Sequence, residues 1–202
     1  FPMPIILALM LNESRVIWYK KLIQNLTYVP HFVSIVVLVG MVIGFTSPTI
    51  GVVNKIIELF GGEAIDFMGK EEWFRPLYIM SGIWQGTGWG SIIYLAALSG
   101  IDPQLHEAAE IDGASRLQRI WHINIPGILP TAIILFILNS GSIMNVGFEK
   151  VFLMQNALNL SESEVISTYV YKAGLLGAQF SYTSAIGLFN SLIHCTLLLC
   201  VN

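Results

Sequence analysis

The sequence predicts an all-α integral membrane protein, a polytopic helical bundle, and three observations carry that prediction. The chain is 54% hydrophobic and only 11% charged, whereas soluble domains carry about 25% charged residues. Its mean hydropathy is +0.69. Several apolar stretches approach the ~20 residues that a helix needs to cross a bilayer, with polar connections between them. A net charge of −3 offers nothing to nucleic acid or to an anionic surface.

Phe1–Leu11 reads as the end of a spanning helix. It has neither a charged n-region nor a small-residue cleavage site, so it is not a signal peptide. The chain opens and closes inside apolar runs, which reads as truncation at both ends. Asn12–Thr27 is polar, and Tyr28–Ser47 is a full span stopped by Pro48. In the mixed segment Pro48–Arg75, Ile56, Ile57, Leu59 and Phe60 mark a short amphipathic helix ending at Gly61-Gly62, and Trp73 with Phe74 fits an interfacial aromatic belt. Phe74–Gly100, Pro126–Phe148 and Tyr182–Val201 are the remaining spans. Glu149–Gln179 is a polar connection with a helix around Ser163–Lys172. Cys195 and Cys200 read as small apolar fillers.

Between two spans lies a charged island, residues 103–130. Asp102-Pro103 starts a helix, an acceptor at the N-cap followed by a proline that needs no amide hydrogen. Gly113 supplies a left-handed stop. Ala114-Ser115 starts a second helix, expected to end near Asn124-Ile125 because Pro126 follows. This is a rigid helix–turn–helix. Ala108 and Ala109 allow close backbone approach, and Glu107, Glu110, Arg116 and Arg119 are placed to contact a partner. An ordinary solvated loop accounts for the same composition.

The spacing is specific: Glu107-Ala108-Ala109, three residues to Asp112-Gly113 inclusive of the aspartate, then eleven residues to Ile125-Pro126. It resembles the EAA loop of bacterial binding-protein-dependent ABC importer permeases, with Ile125 where that family usually has leucine. Asn12–His31, Ile65–Tyr78, Ser140–Leu153 and Ser161–Gly174 are similar to the LplB-like oligosaccharide permease subgroup. The resemblance implies the MetI-like type I importer fold, with residues 1–202 forming one partial permease domain and 101–126 a cytoplasmic coupling loop. It also implies alternating access, no catalytic residue, and no cofactor bound by this chain, ATP and Mg lying on a partner subunit. The implied partners are a cytoplasmic ABC ATPase, a second permease in a heterodimer, an extracellular solute-binding lipoprotein and membrane lipid. The implied location is the bacterial plasma membrane, with several crossings. Charge alone does not orient the chain: Arg15, Lys20, Lys21, Arg116 and Arg119 on one side balance Lys55, Lys70, Arg75, Lys150 and Lys172 on the other.

His106-Glu107-Ala108-Ala109-Glu110 lacks the second histidine of a zincin site, so no metal is expected, and no P-loop sequence occurs. Gly82, Gly86 and Gly90 recur every four residues as a ridge for helix packing. Polar residues at membrane depth often face a pathway. Trp84, Gln85, Trp89, Asn139 and Asn145 are therefore candidates for a sugar path, or equally for interhelical packing. Ser140, Ser142, Asn190 and His194 are further polar residues in spans. An intramembrane hydrolase or an ion-driven secondary transporter would want acids within the spans. Every Asp and Glu falls in a predicted loop instead.

Overall fold

The computed structural model describes residues 1–14, 16–141 and 146–201. In chain order the helices are α1 (Pro2–Glu13), α2 (Ile17–Tyr28), α3 (Ile35–Thr46), α4 (Val52–Leu59), α5 (Glu71–Ser99) and α6 (Pro103–Ile111). There follow α7 (Arg116–Arg119), α8 (Ile125–Ser140), α9 (Phe148–Met154), α10 (Leu160–Ser163), α11 (Ile166–Val170) and α12 (Phe180–Val201). No strand occurs among the described residues.

The chain divides into two compact units. The first comprises Phe1–Phe32 and Ile83–Ser140, the second Val33–Gly82 and Gly141–Asn202. In the first unit Ala8 of α1, Tyr94 and Leu98 of α5 and Ile128 of α8 form the buried core. In the second, Val39 of α3, Phe74 of α5 and Val151 and Met154 of α9 do so. Buried asparagines fix the connections of the second unit. Asn54 donates to the carbonyls of Ser47 at 3.0 Å and Ile65 at 2.9 Å, and accepts from the Ile65 amide at 2.8 Å. Asn159 donates to the carbonyls of Met68 and Met154, both at 3.2 Å. Each such bond satisfies a backbone group that would otherwise lie unpaired away from water.

Several elements depart from the sequence reading. Tyr28–Ser47 is not one helix. Pro30 sits in a 3₁₀ turn over Val29–Phe32, and Ser34 then caps α3 by accepting from the Val37 amide at 3.3 Å. Phe74 is buried in the second unit's core rather than lying in an interfacial belt, while Trp73 packs edge-on against Phe67. Cys195 is exposed on α12. Among the described residues one helical stretch, Arg116–Ser140, is both long and apolar enough to cross a membrane, and Ile17–Phe32 with Ile35–Thr46 would qualify only if the two were one span.

Candidate coupling loop and solute path

The island's first helix forms as its capping chemistry dictates. The Asp102 carboxylate accepts from the Gln104 amide at 2.9 Å with Pro103 at the first position, and α6 closes at Asp112. Gly113 then takes a φ of +77°, a conformation glycine adopts without steric cost. Ser115 and Gln118 form a reciprocal capping box that starts α7: Gln118 Oε1 accepts from the Ser115 amide at 2.7 Å and Ser115 Oγ from the Gln118 amide at 3.4 Å. Both limbs of the loop are thus locally rigid.

The second limb does not end at Pro126. Residues Ile120–Asn124 form a π-helical turn, in which the Ile125 amide reaches back to the Ile120 carbonyl, and α8 continues directly from it. A proline in an α-helix lacks an amide hydrogen and crowds the carbonyl of the preceding turn. A wider turn just before it relaxes the second problem, so the chain runs helically from Arg116 to Ser140. That is a rod of about 37 Å at 1.5 Å per residue.

Two polar ties hold this rod at its base. Arg119, buried, forms an ion pair with Glu110, joining α7 to α6. Asn124, fully buried, donates from Nδ2 to Glu13 Oε1 at 3.0 Å, tying the π turn to the end of α1. Beside these ties lies an open cleft of about 410 Å³, bordered by Glu13, His106, Glu107, Glu110 and Arg119. Arg119 and Glu110 therefore spend their charge within the loop, where the sequence reading had them reaching outward to a partner. Glu107, Ala108, Asp112 and Gly113 are exposed, Ala109 and Ile125 half-buried, and Pro126 exposed.

Of the solute-path candidates, Trp89 stands in a defined aromatic group. Its ring stacks on His31 at 4.5 Å with an interplanar angle of 1°, and Phe32 meets it edge-on at 5.7 Å. Trp84 and Asn139 are exposed and Gln85 is half-buried. Asn145 and Ser142 lie outside the described residues. The glycine ridge is uneven. Gly90 lies against Pro4 at 3.0 Å and Gly82 against Lys150 Nζ at 3.3 Å, as measured from where a Cβ would sit, while Gly86 has open space. The tightest approach on α5 is at Gly88, where a Cβ would lie 1.9 Å from the Thr27 carbonyl oxygen.

Residues 1–201 match the family described as "Binding-protein-dependent transport system inner membrane component". The chain belongs to that family. It is 48% identical over its whole length to the Polygalacturonan/rhamnogalacturonan transport system permease protein YteP of Bacillus subtilis, covering 63% of that protein. It is 47% identical to Protein LplB of the same organism, again over all of this chain and 64% of the relative. The chain thus spans less than two thirds of these relatives' length. A chain of the crystal structure of a bacterial ABC transporter involved in import of the acidic polysaccharide alginate superposes with a TM-score of 0.97 at 44% identity, over 100% of this chain and 71% of that one.

These likenesses bear out the LplB-like resemblance and the all-α, MetI-like permease fold. They lend nothing to the secondary-transporter and hydrolase alternatives. In this permease family member the residues that sequence reasoning missed are apolar. Ile111, Leu117 and Trp121 project from the loop with 87%, 69% and 64% of their surface exposed. Leu117 and Trp121 lie one turn apart, an apolar pair at helical spacing inside a polar island, and that spacing was visible in the sequence. His31 and Phe32 gain meaning only through Trp89, which is distant in sequence.

Proposed function

We propose that this chain is part of a multi-pass permease subunit of an ATP-driven, binding-protein-dependent importer in a bacterial plasma membrane, and that its solute is an oligosaccharide. The observation that carries the reading is the coupling loop: two capped limbs set by Gly113, an exposed apolar tip, and an unbroken helix from Arg116 to Ser140. Exposed apolar side chains on a rigid knob form the kind of anchor that dominates a protein interface. The partner is a cytoplasmic ATPase, since no phosphate-cradling P-loop occurs in this sequence. Closure of an ATPase pair around ATP pushes on Ile111, Leu117 and Trp121, and α7 transmits the push along α8. Glu107, Ala108, Ala109, Asp112, Gly113, Ile125 and Pro126 shape that contact.

The carbohydrate class follows from the relatives, one of which handles polygalacturonan and rhamnogalacturonan. The related alginate transporter has been captured with a periplasmic protein carrying an alginate pentasaccharide. A binding protein that delivers solute and a second permease complete the assembly proposed here. The exposed faces of Trp84 and Trp89, with Gln85, Asn139 and Asn145, supply stacking surfaces and amide hydrogen bonds of the kind that hold sugars.

The test is capture of a P-loop ATPase by the full-length permease in detergent. Wild type retains the ATPase, and Trp121→Ala or Leu117→Asp weakens retention at least about tenfold, the loss expected of an interface anchor. Equal retention by both variants would move the docking site away from this loop.

A further inference from the structure

Helix α2 is turned the opposite way from a helix that faces water. Trp18, Leu22 and Leu26 recur every four residues and so form one stripe. All three are exposed, Trp18 with 71% and Leu26 with 62% of its surface. Lys20, Gln24 and Thr27 form the stripe that is half-buried. The Thr27 carbonyl lies against Gly88 of α5 within the first unit, so the polar side is the packed one. A surface helix in water does the reverse, burying its apolar face and exposing its polar one. The outward stripe of α2 therefore calls for an apolar neighbour.

The residues around the stripe identify that neighbour. α1 ends at Glu13, hydrogen-bonded to Asn124 at the root of the coupling loop, and Ser14 borders the same cleft as His106 and Glu107. The start of α2, Ile17-Trp18-Tyr19-Lys20-Lys21, follows within three residues of that root. Tryptophan and tyrosine collect at the level of lipid headgroups. Lysine stems run along apolar surface while the ammonium stays at the polar boundary. Lys21 is exposed beside Trp18, and among the described residues neither it nor Lys20 joins an ion pair. From residue 15 to residue 57 the sequence contains no Asp or Glu, so this stretch supplies no counter-charge of its own. A protein partner would have to bring an apolar groove and matching acids together. An anionic phospholipid carries acyl chain and phosphate in one molecule.

We propose that α2 is an interfacial helix that docks anionic phospholipid in the leaflet nearest the coupling loop. Trp18, Leu22 and Leu26 lie on acyl chains, and Lys20 and Lys21 meet headgroup phosphates through charge-assisted hydrogen bonds. The inference rests on the membrane location of the family and not on the ATPase or carbohydrate readings. Because the Asn124–Glu13 bond joins the end of α1 to the loop, lipid held on α2 sits a few residues from the coupling element.

The test uses the full-length permease with its partner subunits in phosphatidylcholine vesicles and reads quenching of Trp18 fluorescence by brominated lipid. Trp18→Phe is the blank that subtracts the other tryptophans. Brominated phosphatidylglycerol should associate at Trp18 about ten- to thirtyfold more strongly than brominated phosphatidylcholine, the preference that two lysines near an anionic surface supply. Lys20→Gln with Lys21→Gln should bring the ratio to about one, and Lys20→Arg with Lys21→Arg should keep it. Wild type in about 1 M salt should lose the preference too, since charges are then screened within about 3 Å, and that arm needs no variant to fold. Quenching by neither lipid overturns the proposal and places a protein surface over the stripe. Equal quenching by both in wild type overturns it as well, leaving a face that meets lipid without choosing a headgroup. So does a preference that survives both the glutamines and the salt. If the same preparation captures no ATPase yet keeps the lipid preference, the coupling reading fails and this one stands.

Discussion

The left-handed residue between α6 and α7 permits a prediction whose size comes from backbone geometry alone. Gly113 has a φ of +77°, and a Cβ built on it would meet nothing within 4 Å. Replacing it therefore incurs no clash, only the cost of holding an L-residue in the left-handed region, about 1–2 kcal/mol. Asparagine tolerates that region better than alanine, and a β-branched residue worse. The series Gly113→Asn, Gly113→Ala and Gly113→Val should thus lose stability in that order, from under about 1 kcal/mol to about 2 kcal/mol or more. If the turn sets the angle between α6 and α7, ATPase capture should fall in the same order, by about five- to thirtyfold for a 1–2 kcal/mol loss.

Gly61 supplies the control. It too is left-handed, at φ +82°, with open space around its Cβ position. Gly61→Ala should lower thermal stability in detergent as much as Gly113→Ala does, yet leave ATPase capture at the wild-type level. The reasoning fails if asparagine and alanine at position 113 behave alike, or if valine is tolerated there. It fails equally if Gly61→Ala impairs capture as much as Gly113→Ala, since the effect would then be loss of fold and not of the turn.

Three further outcomes follow from particular contacts. Gly88→Ala drives a Cβ to 1.9 Å from the Thr27 carbonyl oxygen, an overpacking that costs about 3 kcal/mol or more; detergent-solubilised protein should lose its cooperative melt, whereas Gly86→Ala melts like wild type. Ala178 holds a φ of +54°, so Ala178→Gly should raise stability by up to about 1 kcal/mol, read as a higher melting temperature. Lys150 titrates near 8 in the fold against 10.5 for a free lysine, so between those values the unfolded chain binds more protons and stability rises with pH. The whole rise is about 3 kcal/mol, with Tyr78 the titratable ring packed against the ammonium. Lys150→Met should flatten the rise in detergent melts taken across that window, and a persistent slope would assign it to another group.

What was legible in the sequence is what local chemistry decides. Asp102-Pro103, Gly113 and Ser115 act within three or four residues of themselves, and each does in the fold what its side chain or its lack of one implies. Where tertiary contact decides, the pattern misleads. A ridge of glycines every four residues points to Gly86, yet the helix meets its neighbour at Gly88, because the packed face is set by where Thr27 lies. Past the π turn over Tyr171–Leu176 the left-handed residue is Ala178 and not the neighbouring glycine, Gly177, which composition alone does not reveal. The apolar content of Tyr28–Ser47 hides Pro30 and Ser34, which together end one helix and cap the next. The roles proposed for Trp84, Gln85, Trp89 and Asn139 depend on what faces them, and hydropathy does not encode that.

The most consequential difference concerns Pro126, because a kink there would have made the loop a hinge. A proline stop would let α6 and α7 swing without moving the helix beyond. The π turn removes that freedom by carrying the helix through the proline, and the Asn124–Glu13 hydrogen bond fastens α1 to the same turn. Arg119 and Glu110 close the other side by joining α6 to α7. A displacement at the exposed tip is then passed through Pro126 into α8, whose helix continues across Pro130 to Ser140, and within the first unit the Asn124–Glu13 bond carries α1 with it. Rigidity in this loop comes from polar groups buried at its root, which is why its solvent face is free to be apolar.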